Sequence, residues 1–148
     1  MGIKKSFLGT GWNFPPTFHK EYWGVEMISD EVDIKSSLDI LFSTDPGERV
    51  MQPTYGCALR KFVFEPMNIS TKTMMGKIIK DALMYHEPRI IVDKIEVGLP
   101  DNSDSNLIIE FNNEGMLPIS IDYRIITTNT RYNYVYPFYY NEGTNLVR

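Results

Sequence analysis

Cysteine and histidine are nearly absent from this chain of 148 residues: there is one cysteine, Cys57, and there are two histidines, His19 and His86. A lone cysteine excludes an intrachain disulfide. None of the three residues has the spacing by which ligands converge on a metal, so no metal or other cofactor is expected. Long apolar runs are also missing. No stretch approaches the roughly 18 apolar residues of a membrane span, and the segment from Met1 to Gly9 lacks the apolar core of a secretory signal. Membrane insertion is therefore not expected, and the cytosol of the producing cell is the expected compartment. Basic charge is in short supply too. Against 15 Lys and Arg stand 19 Asp and Glu, a net charge of −4, whereas a nucleic-acid binder needs a basic face or stripe to neutralise phosphates. The doublets Lys4 with Lys5 and Arg60 with Lys61 are isolated and read as solvated surface.

What is present is the composition of one globular domain, 43% hydrophobic and 23% charged, in a length that supports a single core. Residues 1–28 hold Gly9, Gly11, Pro15 and Pro16 among bulky aromatics. That disfavours regular elements and predicts an extended arm anchored by Trp12, Phe14, Phe18, Tyr22 and Trp23. The core is expected over residues 29–130. From Asp33 to Thr44, Ile34, Leu38, Leu41 and Phe42 recur on one face of a helix, capped at Ser29 or Asp30 and stopped at Pro46 and Gly47. A second helix should run from Ser70 or Thr71 to about Tyr85, buried through Met75, Ile78, Ile79, Ala82 and Tyr85 and ended by Pro88. The period then changes to two. Residues 89–97, 107–111 and 119–126 read as strands, joined by turn-rich connectors at 101–105 and 112–115. The expected fold is α+β, with two helices packed on a three-stranded antiparallel sheet. An extended N-terminal arm precedes it, and an aromatic C-terminal tail follows over residues 131–148. No proline is expected inside a strand, which leaves the outer edges of the sheet with little to cap them.

Catalytic patterns are sparse. No nucleophile elbow or cysteine-protease signature is present. Gly9, Thr10 and Gly11 are too short for a phosphate cradle and lead into Trp12, Asn13, Phe14 and Pro15, not a helix start. Glycoside hydrolysis needs only a pair of carboxylates, and Glu48, Glu65 and Glu87 each lie near Pro or Gly at an element end. Arg49 and Arg89 lie beside two of them, and an adjacent cation favours the ionised carboxylate over the proton-holding acid. Structural ion pairing is the expected role, and no catalytic residue is assigned.

Gly9, Gly11, Trp12, Phe14, Pro15 and Pro16, then Asp33 and Ile34 at the head of the first helix, open a longer pattern. It continues through Leu38, Ile40, Leu41, Ser43, Thr44, Pro46, Gly47, Glu48, Arg49, Met51, Pro53, Tyr55, Gly56 and Cys57, and closes on Glu87, Pro88 and Arg89. Pro-Gly-Glu-Arg followed by Met-x-Pro-x-Tyr-Gly is specific in combination. Over residues 9–126 the chain resembles the small wedge subunits of contractile-tail baseplates, typified by gene product twenty-five of T-even phages and by its type VI secretion counterpart.

The resemblance implies a structural, non-enzymatic part of a contractile injection machine: a phage tail, a secretion system or a related particle. It would assemble in the cytoplasm with other baseplate wedge proteins, in multiple copies around a ring. It also implies a two-helix body whose sheet resembles the interlocking domain of sheath subunits, so that the sheath protein joins by strand addition. Glu87, Pro88 and Arg89 are implied to contact neighbouring wedge proteins, and Arg89 is accordingly expected to face solvent and matter little for folding. Pro46, Gly47, Glu48 and Arg49 are expected to brace their turn internally. After Thr130 the sequence departs from the pattern, and its aromatic run from Tyr132 to Tyr140 is expected to dock on a partner or on the body. Two other classes compete. One is a peptidoglycan-degrading, lysozyme-like glycosidase, a label some members of that family have carried; the other is a free-standing adaptor that binds peptides by strand addition.

Overall fold

Leu117, Ile119, Ile121, Tyr123 and Ile125 alternate with more exposed neighbours, and in the computed structural model they form the buried face of one strand, Met116–Ile125. The structure describes residues 7–99, 105–106 and 115–140. Four short strands come first: Thr10–Trp12 (β1), Phe18–His19 (β2), Gly24–Val25 (β3) and Met27–Ser29 (β4). Helix Asp30–Ser43 (α1), a 3₁₀ turn at Arg60–Phe62 and helix Ile69–His86 (α2) follow. Ile90–Val97 (β5), Met116–Ile125 (β6) and Arg131–Tyr139 (β7) then make an antiparallel meander in that order. In the arm, β1 pairs with β4 and β2 with β3.

Both helices pack on the apolar face of the long sheet. α1 buries the expected Ile34, Leu38, Leu41 and Phe42, and places Asp30, Glu31 and Asp33 at the positive end of its dipole. α2 is capped by the Asn68 side chain, which accepts from the Thr71 amide at 2.8 Å. It buries Met75, Ile79, Ala82 and Leu83 and stops before Pro88. Tyr85, expected in that stripe, is 77% exposed; Leu83, one turn after Ile79, takes the core position instead. Ile119, Ile121 and Ile125 are fully buried, and each such side chain contributes about 2 kcal/mol or more relative to remaining in water. The opposite face of the sheet is polar. Asn133 Nδ2 donates to Ser120 Oγ at 2.8 Å and to Asp122 Oδ1 at 2.6 Å, and Arg124 pairs with Asp93 at 2.9 Å.

The α+β class, with two helices on three antiparallel strands, stands as expected, but the third strand is a different segment. The expected strand at 107–111 lies outside the described residues, as do most of both connectors and residues 141–148. The expected tail instead supplies β7, whose Tyr134, Tyr136 and Phe138 are buried. Phe42 of α1 stands 5.8 Å from Tyr134 and 5.4 Å from Tyr136 between ring centroids. Tyr132 Oη donates to Glu31 Oε1 at 2.7 Å and Tyr134 Oη donates to Asp39. These contacts dock α1 on β7.

Two prolines do lie inside strands, contrary to expectation: Pro118 of β6 sits directly opposite Pro137 of β7. The arm differs as well. Trp12, Phe14, Phe18, Tyr22 and Trp23 are between 54% and 93% exposed, and among the described residues of the arm it is Leu8 that reaches the core. Backbone bonds hold the arm's shape, from Asn13 N to Glu26 O and from Glu26 N to Thr17 O, both 2.9 Å.

Candidate functional site

Pro88 ends α2 because it forces the preceding residue out of helical geometry. Glu87 therefore becomes the C-cap, its amide still donating to Leu83 O at 2.9 Å. The turn swings the Glu87 carboxylate under α1, where it is 2% exposed. Its Oε2 accepts from Ser37 Oγ at 2.7 Å and Arg89 Nη2 at 2.8 Å, and its Oε1 accepts from Arg89 Nε at 2.6 Å. Arg89 Nη1 donates onward to Asp33 Oδ2 at 2.6 Å and to Leu8 O at 3.2 Å. One planar guanidinium thus joins the arm, α1 and the α2–β5 junction. Burial pushes the Glu87 carboxyl upward, but the hydrogen bonds from Arg89 and Ser37 and the Arg89 charge outweigh it, leaving a net lowering. Arg89 is held above its already high value, first by its bonds to Glu87, against the effect of its own burial.

The expectation of a solvent-facing Arg89 is corrected by this geometry: its side chain is 29% exposed and engaged within the chain on three sides. A carboxylate in the core draws the guanidinium inward. Pro88 remains exposed. Asp33 and Ser37 complete the cluster and were not singled out from sequence as partners of the triplet. Their signal is the i, i+4 spacing, which sets two polar side chains on one face of α1 between core positions. The Gly9-x-Gly11 pattern has its explanation here. A Cβ on Gly11 would lie 2.4 Å from Asp33 Oδ1, and Gly9, at φ +108, passes beside Arg89 Nη1.

Pro46, Gly47, Glu48 and Arg49 turn the chain after α1. Glu48 Oε2 accepts from the Asp45 amide at 2.8 Å, and the Glu48 amide donates to Asp45 O at 3.1 Å. Asp45 also pairs with Arg60 at 3.0 Å. Arg49 lies 4.2 Å over the Tyr55 ring, and Tyr55 packs edge-on against His86 at 5.0 Å, so this loop leans on the end of α2. Gly56 closes it. At φ +131, any Cβ there would stand 2.4 Å from Thr44 O, while the next amide, Cys57 N, donates to that same oxygen at 2.9 Å. Cys57 is buried, and burial, with Asp45 second, pushes its thiol up to about 12. His19 stacks on Tyr22 in the arm, and His86 packs against Tyr55 at the end of α2. Of the carboxylates weighed for glycoside chemistry, Glu48 caps a turn and Glu87 is held ionised by Arg89, the opposite of a proton-holding acid.

The sheet presents two outer edges. Ile126 N bonds to Arg89 O at 3.0 Å and Gly98 N to Pro118 O at 2.8 Å, which sets the phase of the β5–β6 ladder. Alternation then points the backbone groups of Ile90, Val92, Ile95 and Val97 away from β6. On β7, the bonds from Ile125 N to Thr130 O and from Tyr140 N to Gly115 O turn Arg131, Asn133, Val135, Pro137 and Tyr139 outward in the same way. Among the described residues, no backbone group beyond the sheet bonds to either row. Each edge carries an interruption after all. Pro137 has no amide hydrogen to offer, and β5 bulges between Val92 and Lys94.

Residues 29–130 match the family model described as baseplate wedge protein gp25. Baseplate wedge protein gp25 of Enterobacteria phage T4 is 37% identical over 78 residues, 52% of this chain and 58% of that protein. The matched segment therefore spans little more than half the length of this curated relative. A crystal structure from Geobacter sulfurreducens, described as a candidate tail lysozyme, superposes with a TM-score of 0.66 at 37% identity, over 79% of this chain and 97% of that one. A chain of the anti-feeding prophage (AFP) baseplate, from a six-fold symmetrised cryo-EM structure, shares the fold at a TM-score of 0.59 and 23% identity, over 90% of this chain and 87% of that one. The family match runs through both helices, β5 and β6, and the chain belongs to the baseplate wedge protein gp25 family.

Proposed function

We propose that this chain is a structural subunit of a contractile-tail baseplate, present in several copies around a ring, which receives an extended segment of the sheath protein as an added strand. The observation that carries this reading is the outward row of backbone amides and carbonyls on each outer strand of a sheet whose remaining strand is fully paired. An incoming extended segment satisfies those groups, and its alternate side chains set register. A ladder of hydrogen bonds loaded together also suits a joint that must survive contraction. Pro88 and the exposed rim of Arg89 form the contact to neighbouring wedge proteins, while the Glu87–Arg89 pair behind them holds that surface in place. The turn at Pro46, Gly47, Glu48 and Arg49 braces the body. In this reading the protein does no chemistry, and the ion-paired Glu87 supports that over a glycosidase.

The test places proline at an outward amide on each edge, Ile95→Pro in β5 and Val135→Pro in β7, and measures sheath polymerisation on assembled baseplates. At least one variant that keeps a wild-type melting curve is expected to lose nucleation. Folded variants at both edges that nucleate at wild-type efficiency would exclude strand addition. Incubation with peptidoglycan tests the alternative directly, since turnover that disappears in Glu48→Gln or Glu87→Gln would make the protein an enzyme.

A further inference from the structure

α2 runs back along β5, and between them lies an open groove of about 720 Å³. Its floor is apolar, with half-buried Val92, Ile95 and Val97, and its helical wall carries Lys72, Lys77 and Lys80. Two further charged residues of β5 line it, and each is already neutralised: Asp93 by Arg124 at 2.9 Å and Lys94 by Glu96 at 2.6 Å. The three lysines of α2 have no ion-pair partner among the described residues. In a chain of net charge −4, three lysines without an ion-pair partner among the described residues thus line one wall of this groove. Gly76 lies on the same helical row as Lys72 and Lys80, and a Cβ added there would meet nothing within 4 Å. A mid-helix glycine weakens a helix relative to alanine. Among the described residues nothing packs against this position, and the glycine leaves the groove open.

We propose that this groove seats an extended, acidic segment of a partner protein, whose carboxylates meet Lys72, Lys77 and Lys80 while its backbone continues the sheet beyond β5. This rests on the strand-addition reading above and adds to it the edge and the charge of the occupant. The spacings agree. Lys72, Lys77 and Lys80 rise by about 7.5 and then about 4.5 Å along the helix, about 12 Å in all, and three alternate residues on a strand span about 13 Å, so three carboxylates at every second position cover the length of the lysine wall. The other set of alternate side chains faces the polar side of the sheet. The residues that floor the groove, Val92, Ile95 and Val97, are also those whose amides and carbonyls point outward, so one segment occupies groove and edge together. On β7, Pro137 removes an outward amide donor outright, whereas the β5 bulge between Val92 and Lys94 leaves the outward amides of Ile95 and Val97 in place.

The probe is a short synthetic peptide alternating Glu and Val, with a Lys and Val peptide as control, titrated into the full chain by fluorescence anisotropy at low and high salt. The acidic peptide is expected to bind and to weaken with salt. The charge reversal Lys72→Glu, Lys77→Glu, Lys80→Glu should weaken it at least about tenfold and let the basic peptide bind instead. Gly76→Leu should raise the melting temperature yet block the acidic peptide, which separates loss of the groove from loss of the fold. Equal binding of both peptides, or an acidic affinity unchanged by the charge reversal, overturns the proposal. A peptide N-methylated at alternate amides separates the two readings. If it binds as well as its parent, the acidic groove stands and strand addition falls. If the acidic peptide fails while Ile95→Pro still abolishes sheath nucleation, strand addition stands and the acidic groove falls.

Discussion

The guanidinium of Arg89, at the mouth of the long sheet, meets the carboxylate of Asp33 in the first turn of α1, with 2.6 Å between Nη1 and Oδ2 across 56 residues of sequence. The same group holds Glu87 in a two-point bond. The junction is therefore a clasp inside the fold, and its outer side is what a neighbour can touch.

Arg89→Ala should destabilise the isolated chain by about 2–4 kcal/mol, because it strands a buried carboxylate without its cation. This reverses the sequence-based expectation of a dispensable arginine. Arg89→Lys should fall between, since it restores charge without the planar fork. Urea melts of the three proteins measure this, and an alanine variant as stable as the wild type would remove Arg89 from the clasp.

The lowered pKa of Glu87 makes stability depend on pH in a defined direction. Its folded-state value lies below the ordinary 4.5, so at pH above that ordinary value the folded state gains the full contribution of the ionised pair. As pH falls through the ordinary value towards the folded one, the unfolded chain takes up the proton first and the contribution is lost. Chemical denaturation between neutral pH and pH 3 should show stability falling with acid, and Glu87→Gln should flatten part of that fall.

Gly56→Ala places a Cβ against the Thr44 carbonyl in a backbone conformation that L side chains rarely adopt. The expected loss is about 2 kcal/mol or more. Gly47→Ala tests backbone strain alone, because Gly47 has φ +92 with nothing within 4 Å of an added Cβ; its loss should be about 1 kcal/mol. Comparable melting curves for the two variants would show that contact with the Thr44–Pro46 turn is unimportant.

Truncation after Thr130 removes β7 and with it three buried aromatic side chains, Tyr134, Tyr136 and Phe138. The shortened chain should be unfolded or insoluble, since each lost side chain contributes about 2–3 kcal/mol of burial and the newly exposed β6 becomes an apolar edge. A truncated protein with a cooperative, wild-type-like melt would return residues 131–139 to the role of a dispensable tail.

Both helices were legible because their apolar residues recur at helical spacing and a proline lies just beyond the end of each; α2 is capped by Asn68, whereas Ser29 at the start of α1 makes no side-chain cap bond. β6 was legible because it alternates strictly. β7 alternates too, through Tyr132, Tyr134, Tyr136 and Phe138, yet Pro137 and the density of aromatics disguised it as a tail. That proline is tolerated because it occupies an outward position where the ladder needs no amide. The arm misled in the opposite sense. Its aromatics promised anchoring, while backbone bonds hold it and the rings stay exposed.

The sequence by itself determined the α+β class, the helix limits to within a few residues and the family, since all of these rest on local periodicity, turn chemistry or a run of matching residues. Only the tertiary structure decided that Arg89 faces inward, that Ser37 and Asp33 complete its cluster, and which strands lie outermost in the sheet among the described residues. Those outcomes depend on which distant segments meet. A single arginine reads the same in sequence whether it points to water or to a buried carboxylate, and only the closing of α1 over the α2–β5 turn chooses between them.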